Sequence, residues 1–437
     1  MRWSTTSPRW KRCGTPTAYM PARSNRVLVI GGGPAGMAAA LFALRAGAQV
    51  TLLERNDKLG KKLYITGKGR CNVTNVAEGE DFLAQVPRNP RFLYASLGFL
   101  SAEGLRALLR ELGCDTVAER GGRVFPAGQK ASDVTRALAR GLAGADIQLG
   151  ARVSSLRALD NGGFEAELES GDSLHADTVV IATGGLSYPV TGSTGDGHTL
   201  ARATGHRVTD THPALVPLET ADDWARPLQG LALKNVALTA RRGKKTLFLE
   251  QGELLFTHFG ISGPLVLSMS SVLAGLPLKE VICAIDLKPA VPAQELEQRL
   301  ARLLAEGGRR PAASLLPQLM PRSLAQAFPA VCPVNLQKPC SQITADERRQ
   351  IVQALKAIPV RLTAARSMAE AVVTRGGVDV RDVDPSTMMS RRVPGLFFAG
   401  EVLDVDAFTG GYNLQIAFAT GALAGHRAAN MTFEEIE

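Results

Sequence analysis

The chain lacks the features that mark extracellular, metal-binding and membrane-spanning proteins. Its six cysteines form no Cys-x-x-Cys pair and show no zinc-site spacing, as is usual for reduced thiols inside a cell. No apolar run has the length of a membrane span. The best candidate, residues 263–278, is interrupted by proline and serine and predicts a buried helix. We therefore expect a cytoplasmic globular protein without a metal site.

Acidic residues are absent from residues 1–24, which show no periodicity and which we interpret as a disordered N-terminal extension. An over-extended gene start, with Met20 as the initiator, is the preferred explanation, and an organellar transit peptide is the alternative. The net charge of the whole chain is +9. Outside the extension the basic residues are spread along the chain, so we expect a small-molecule substrate rather than nucleic acid. The oligomeric state is not indicated.

Residues 26–54 have the order of a dinucleotide-binding βαβ unit. An apolar, β-branched run at residues 27–30 predicts a buried parallel strand. Residues 34–46 predict a helix, and residues 49–53 predict a second strand that ends on Glu54. An acidic residue at this distance from the first strand can accept hydrogen bonds from a ribose hydroxyl.

Glycines at the first turn have the G-x-G-x-x-G spacing. Gly31 permits a tight turn, Gly33 lets the backbone approach a pyrophosphate, and Gly36 lets the helix lie close to the strand. Pro34 and Ala35 begin the helix, whose free N–H groups and positive dipole end attract phosphates. We therefore predict a dinucleotide site here.

The loop after Glu54 is rich in basic residues and glycines. Glycines allow backbone amides to curve around an anion, and basic side chains neutralise it. The alternative is a solvated basic loop. The candidate cofactor-binding residues of this loop are Arg55, Lys61, Lys62, Gly67, Arg70, Cys71 and Asn72.

Two further segments predict a binding site for the other end of a long cofactor. A buried strand at 178–181 leads into Thr183 and Gly184, and a strand at 396–399 leads into Gly400 and Glu401. After a loop, an apolar helix begins at Gly411, Tyr412 and Asn413, although such glycines also occur at ordinary helix starts. Segments that each predict half of a nucleotide-binding site lie near both ends of the chain. They imply a cofactor long enough to contact both segments, and we expect FAD.

The pattern of elements predicts an α/β fold with an insertion. Residues 147–180 alternate apolar and polar residues and predict a three-stranded antiparallel meander. Residues 206–285 predict mostly short strands in a barrel-like sheet, and 292–306 and 345–357 predict helices. The expected domains are residues 1–24 as the extension, 25–205 with 367–437 as the FAD-binding domain, 206–290 with 345–366 as a β-rich substrate domain, and 291–344 as a nested helical domain.

Three motifs resemble the HI0933-like flavoproteins, a group that includes BaiN/RdsA and aminoacetone oxidase-like proteins. They are residues 66–75 (TGKGRCNVTN), 256–264 (FTHFGISGP) and 400–413 (GEVLDVD, then GGYN). The resemblance implies a glutathione-reductase-like FAD-binding domain, in which a Rossmann-type parallel sheet carries a β-meander, with an inserted β-barrel-like domain and a small nested helical domain. It also implies either NAD(P)H-dependent reduction of an alkene or oxidation of an amine such as aminoacetone.

The candidate catalytic residues are His258, Tyr412 and Arg70. His258 is the preferred proton donor because the ordinary pKa of histidine lies near neutrality, and we expect it at a helix start, where a structural cap is the alternative. A second glycine fingerprint for NAD(P)H is missing from the sequence. NAD(P)H therefore stays a possible electron donor, and an RNA- or partner-binding protein stabilised by its flavin is the non-enzymatic alternative.

Overall fold

The computed structural model describes residues 25–160 and 162–431. The interpretation of residues 1–24 as an extension therefore lies outside the described residues. Within them the strands, β1 to β20 in chain order, are Arg26–Ile30, Gln49–Glu54, Thr74–Asn75, Thr116–Ala118, Arg123–Pro126, Asp146–Leu149, Val153–Ala158, Phe164–Leu168, Ser173–Ala176, Thr178–Ile181, His212–Ala214, Leu218–Thr220, Ala232–Arg242, Lys245–Phe256, Gly260–Ser262, Ile282–Asp286, Ile358–Val360, Leu362–Ala365, Val373–Arg375 and Leu396–Phe398. The helices, α1 to α11, are Pro34–Arg45, Gly79–Leu83, Tyr94–Phe99, Ala102–Glu111, Ala131–Gly141, Asp196–Ala203, Pro264–Leu273, Ala293–Gly307, Arg322–Ala327, Ala345–Lys356 and Tyr412–Ala429.

A five-stranded parallel sheet, in the order β20-β10-β1-β2-β6, forms the centre of the fold. Its inner strands β1 and β10 are almost wholly buried, as their β-branched sequences predict. Helices α1 and α11 pack against each other and contact this sheet. The predicted βαβ unit is thus confirmed, and β20, the last strand of the described residues, pairs directly with β10.

The predicted meander over 147–180 is wrong at both ends. The antiparallel meander consists of β7, β8 and β9, whereas β6 pairs in parallel with β2 and β10 joins the centre of the parallel sheet. Strand β6 lies at the edge of that sheet and is only partly buried. Its alternating sequence therefore does not distinguish an edge parallel strand from a strand of a meander.

A seven-stranded antiparallel sheet follows the order β17-β16-β13-β14-β15-β12-β18. Its edge strands β17 and β18 are separated in the chain by Arg361 alone. The sheet therefore curls until its edges meet, as in a barrel. The expectation of mostly short strands is confirmed for β11, β12, β15 and β16, whereas β13 and β14 have 11 and 12 residues and form one long hairpin.

The described residues form two main hydrophobic cores. One combines buried residues of the parallel sheet, α1 and α11; the other combines the seven-stranded sheet with α7 to α10. Helix α7 confirms the buried helix predicted within 263–278, and α8 packs against α10. The nested helices thus share a core with the antiparallel sheet. The domain boundaries stay a prediction.

One described stretch, Pro90–Glu111, is long and apolar enough to cross a membrane by length and composition alone. The structure divides it into a 3-10 turn at Pro90–Leu93 and the helices α3 and α4, with Ser101 capping α4. Leu105 and Leu109 are buried in the first core. We assign the stretch to core packing.

Candidate cofactor and active site

The glycine turn after β1 has the geometry that its spacing predicts. Gly31 has a φ of +108°, and a Cβ there would lie 2.6 Å from the carbonyl oxygen of Ala182. A Cβ on Gly36 would lie 1.7 Å from the Gly31 oxygen, so α1 rests directly on the turn. A Cβ on Gly33 would meet nothing within 4 Å. The backbone at Gly33 is therefore open to a ligand at the N-terminus of α1.

Glu54 lies at the end of β2 and is 8% exposed. Its Oε2 accepts a hydrogen bond from the Gly32 N–H at 2.7 Å, and its Oε1 accepts from the N–H and side-chain amide of Asn56 at 2.8 and 2.7 Å. These bonds fix the carboxylate beside the glycine turn. A carboxylate oxygen has a second lone pair, so Oε2 keeps capacity for a ribose hydroxyl.

The second half site meets the first in space. Gly400 follows β20 with a φ of +76°, and a Cβ there would lie 2.7 Å from the Cβ of Ala35. The Gly400 N–H donates to Thr420 Oγ1 at 2.9 Å, which ties the loop to α11. Segments from the two ends of the chain therefore form one continuous wall, as a cofactor bound by both requires.

The start of α11 is held by close backbone packing. Gly411 has a φ of +103°, and a Cβ there would lie 2.2 Å from the Thr74 oxygen. Asn413 accepts a hydrogen bond from the Ala407 N–H at 2.9 Å and donates to the Ala407 oxygen at 2.7 Å. The Asn413 side chain thus holds the loop before α11 in place, a structural role that the sequence does not predict.

Glu401 connects three other segments of the chain. Its carboxylate accepts hydrogen bonds from Lys62 Nζ at 2.7 Å, Ser187 Oγ at 2.6 Å and the Thr374 N–H at 2.8 Å. Lys62 is thereby neutralised by Glu401 and is not a free cation for a pyrophosphate. Because these segments are distant in sequence, only the fold brings the ion pair together.

The basic loop is also partly paired. The Arg70 guanidinium lies 4.0 Å from the ring centre of Phe125 and forms an ion pair with Glu119. Arg55 is bound to Asp196 at 3.0 Å. The positive charges of Arg55 and Arg70 are therefore partly neutralised by these carboxylates. The sequence does not predict this pairing. Lys61 is more weakly held, with Asp57 at 3.9 Å.

A cavity of about 890 Å³ runs between these elements. The predicted residues that line it are Gly31, Gly33, Pro34, Ala35, Glu54, Arg55, Lys61, Lys62, Gly67, Arg70, Asn72, Thr183, Gly184, Gly400, Glu401, Gly411, Tyr412 and Asn413. This volume lies within the range of sites that bury most of a cofactor-sized ligand. Sequence reasoning therefore found residues along the whole length of the cavity.

Three predicted residues do not line the cavity. Gly36 acts only through helix packing. Cys71 is fully buried, and burial raises the pKa of its thiol to about 12, so it serves packing rather than binding. His258 is exposed in the turn between β14 and β15, and its ring packs against Phe259. The expected helix start at His258 is wrong, because the Gly-Pro that suggested it begins α7 several residues later, after β15.

Sequence reasoning missed the apolar end of the cavity. It is lined by Leu215, Leu267, Val372, Val373 and Phe408, which come from different elements of the fold. Such residues are indistinguishable in sequence from core residues, so no signal identified them. Arg152 is another missed lining residue, and its ion pair with Asp196 at 3.0 Å appears only in the tertiary structure.

The residues present fit FAD. The Gly33 backbone lines the cavity at the N-terminus of α1, and a Cβ there would meet nothing within 4 Å, so a ligand can approach this backbone closely. The start of α1 suits the pyrophosphate, and Glu54 suits the ribose. Burial, together with the charge of Asp81, raises the pKa of Tyr412 at the other end, so its phenol stays protonated at neutral pH.

Comparisons with known proteins agree with this site. Residues 25–427 match the family model described as the HI0933-like protein Rossmann domain. The chain is 32% identical over 412 residues to a 3-dehydro-bile acid delta(4,6)-reductase of Clostridium scindens, covering 93% of this chain and 99% of that protein. It is 32% identical over 400 residues to a ribosomal RNA dihydrouridine synthase of Escherichia coli, covering 90% and 95%.

A solved structure shows the same fold. The 3-ketosteroid delta1-dehydrogenase from Sterolibacterium denitrificans aligns with a TM-score of 0.50 and 13% identity, over 93% of this chain and 100% of that one. At this identity the likeness concerns the fold alone. The family model matches most of the chain, the two relatives align over nearly their whole length, and glycines bound the cavity. The chain therefore belongs to the HI0933-like family and is an oxidoreductase with a Rossmann-type FAD-binding domain.

Proposed function

We propose that the protein uses NAD(P)H to saturate a carbon–carbon double bond conjugated to a carbonyl group. The names of the two relatives describe this type of reaction, on a bile-acid derivative and on a uridine of ribosomal RNA. In the balanced reaction NAD(P)H loses a hydride and becomes NAD(P)⁺. The substrate gains that hydride at the carbon β to the carbonyl and a proton at the α carbon.

The observation that carries this proposal is the apolar end of the cavity. Leu215 and Leu267 come from the part of the chain that carries the antiparallel sheet, and Phe408 comes from the loop before α11. A flat, largely apolar ring fits such a lining, and burial there excludes water. FAD, when bound, supplies the two-electron carrier that the reaction needs.

Tyr412 is the proton donor in this proposal. It is 8% exposed, lines the cavity and is packed edge-on against Phe82 with ring centres 5.1 Å apart. A phenol kept protonated by burial can release its proton to the α carbon as that carbon gains electron density, and then recover a proton from solvent. His258, exposed outside the cavity, has no part in this step.

Anaerobic stopped-flow spectroscopy tests the proposal. We expect NADH or NADPH to bleach the flavin, and a conjugated enone to restore its colour. Tyr412→Phe keeps the packing against Phe82 and removes the proton, so it should slow the recovery by about 10²-fold. The matched control is Tyr94→Phe, an exposed tyrosine that should leave turnover unchanged.

Two results would contradict the proposal. If neither nucleotide reduces the flavin, the reductase assignment fails. If aminoacetone reduces the flavin and oxygen restores its colour, the protein is an amine oxidase instead.

A further inference from the structure

A second cavity lies beside the cofactor cavity and shares a wall with it. Its volume is about 240 Å³, against about 890 Å³ for the cofactor cavity. The residues that line both cavities, and therefore lie between them, are Gln85, Pro264, Phe408 and Thr409. Phe408 has the largest side chain of the four and is therefore the main barrier between the two cavities.

Helix α7 lies along both cavities. Pro264 and Leu267 line the cofactor cavity, whereas Leu265 and Ser268 line the second cavity. Positions three apart share one face of a helix, so two neighbouring faces of α7 belong to different cavities. Because Leu267 lies at the apolar end of the cofactor cavity, the second cavity adjoins that end.

Phe408 is fixed in position between the cavities. Its N–H donates to the Gln85 carbonyl oxygen at 2.8 Å, and its own carbonyl oxygen accepts from Asn413 Nδ2 at 3.3 Å. The Phe408 ring lies perpendicular to the ring of Phe248, with ring centres 6.5 Å apart. Phe248 is 5% exposed and belongs to β14. The backbone bonds and this edge-to-face contact, a favoured geometry for aromatic pairs, hold the ring in the wall.

The second cavity is polar where the neighbouring end of the cofactor cavity is apolar. Glu250, Gln251 and Glu253 line it from β14 and are exposed, so the second cavity opens to solvent. Within residues 25–160 and 162–431, neither glutamate forms an ion pair. A group that passed the Phe408 ring from the apolar end would therefore leave an apolar lining and meet two negative charges.

We propose that Phe408 limits the size of the substrate, because its ring closes the apolar end of the cofactor cavity against the second cavity. The inference rests on the proposed function, since the substrate there is a conjugated enone whose ring lies at the apolar end. A compact cyclic enone fits in front of Phe408, whereas a long side chain on that enone meets the phenyl ring. Specificity of this kind comes from a clash with the larger substrate. A smaller residue in place of Phe408 joins the two cavities.

Titration of the oxidised, flavin-loaded protein with three enones tests the inference. The probes are cyclohex-2-enone, 4-hexylcyclohex-2-enone and the analogue whose hexyl chain ends in a trimethylammonium group, and binding is measured from the change in flavin absorbance. Phe408→Ala should raise the affinity for the hexyl enone relative to cyclohexenone by about tenfold or more, since even one methylene in an apolar pocket changes binding by that order. Phe408→Leu, a milder change, should shift the ratio in the same direction. The ratio of kcat/KM values should follow the ratio of affinities.

Two variants serve as controls for the loss of the ring. Phe99→Ala makes the same change at a phenylalanine that is 37% exposed and lines neither cavity, so it should leave the affinity ratio unchanged. Phe408→Tyr keeps a ring in the wall and should keep the wild-type ratio. Flavin absorbance shows that each variant is folded and loaded.

The charged probe shows where the chain of a larger substrate goes. In the Phe408→Ala protein, the trimethylammonium group should lie near Glu250 and Glu253. Adding Glu250→Gln and Glu253→Gln should then weaken binding of the charged probe severalfold at low salt and leave binding of the hexyl enone unchanged.

Three results overturn the inference: an affinity ratio that Phe408→Ala and Phe408→Leu leave at the wild-type value, binding of the charged probe that ignores the two glutamates, and absence of binding by all three enones. If enones reoxidise the reduced flavin but the ratio does not move, the inference about Phe408 fails and the proposed function stands. If NAD(P)H fails to reduce the flavin, the proposed function fails, and the titrations of the oxidised protein still decide whether Phe408 is the wall.

Discussion

At the scale of single residues, the least expected group is Asp406. It is fully buried, and neither carboxylate oxygen has a hydrogen-bond partner in the described residues. Its neighbour Asp404 is paired with Arg88 at 2.6 Å. Burial raises the pKa of Asp406 to about 6, although the nearby Arg375 guanidinium and Ser271 hydroxyl oppose the rise. A buried carboxylate is costly to ionise when its neighbours replace only part of its lost hydration.

This raised pKa predicts a pH dependence of stability. An unfolded aspartate has a pKa near 3.9, so the folded state binds the extra proton between about pH 4 and pH 6. The contribution of Asp406 is fully present below pH 4 and is lost as pH rises through about 6. Asp406→Asn removes this loss. The unfolding free energy of the variant relative to wild type should therefore rise by on the order of 2 kcal/mol between pH 4 and pH 7.

Urea unfolding at a series of pH values measures this difference. Asp223→Asn is the control, because Asp223 has an 86% exposed side chain and only a surface partner. It should stay within about 0.5 kcal/mol of wild type at each pH. A flat difference between Asp406→Asn and wild type would contradict the raised pKa.

At the scale of elements, the crossing of α1 and α11 determines where the phosphate-binding turn lies. A Cβ on Gly421 would lie 2.1 Å from the Ala35 oxygen, and one on Gly425 would lie 1.9 Å from the Ala39 oxygen. These two glycines, four residues apart, present one face of α11 to the backbone of α1. The contact that they allow holds the N-terminus of α1 against Gly400.

Gly425→Ala should separate the two helices. The added methyl group meets backbone atoms that cannot rotate away, so we expect a loss of about 1–3 kcal/mol in unfolding free energy and weaker FAD binding. Gly98→Ala in α3 is the matched control, because a Cβ there meets nothing within 4 Å. The control should gain up to about 1 kcal/mol from helix propensity. Unchanged FAD affinity in Gly425→Ala would show that the crossing does not position the site.

At the scale of the whole molecule, the cofactor site is where distant parts of the chain meet. The cavity is lined by the first glycine turn, the basic loop, the end of β10, α7 and the start of α11. A ligand that touches all of them favours the folded state by mass action. FAD should therefore contribute to global stability as well as to chemistry.

Removal of FAD should lower the unfolding free energy. At an FAD concentration of about 100 times its Kd the stabilisation is about 2.7 kcal/mol. FMN, which lacks the adenylate, reaches only part of a cavity that runs from Glu54 to Tyr412, so at equal concentration it should stabilise less. Thermal melts of the apoprotein with each flavin measure this. Equal stabilisation by FMN and FAD would mean that the Glu54 end does not bind adenosine.

Part of the fold and of the site could be predicted from local sequence. The order of residues 26–54 determines a strand, a glycine turn, a helix and a second strand ending in an acid, because backbone sterics and hydrophobic periodicity act over short distances. The turns at Gly31 and Gly400 need positive φ angles that glycine adopts without strain. The sequence therefore determined the Rossmann-type unit and the glycines that shape its turns beside the cavity.

Only the tertiary structure decided the rest. Cys71 lies within the predicted loop but points into the core, and His258 lies within a family motif but on an exposed turn. The apolar end of the cavity and the Glu401–Lys62 ion pair join residues that are far apart in the chain. Burial, pairing of charges and the lining of a cavity depend on which surfaces meet after folding. Local spacing carries no information about these tertiary contacts, because the sequence of an apolar or charged residue is the same whether it lies in the core, in a cavity wall or on the surface.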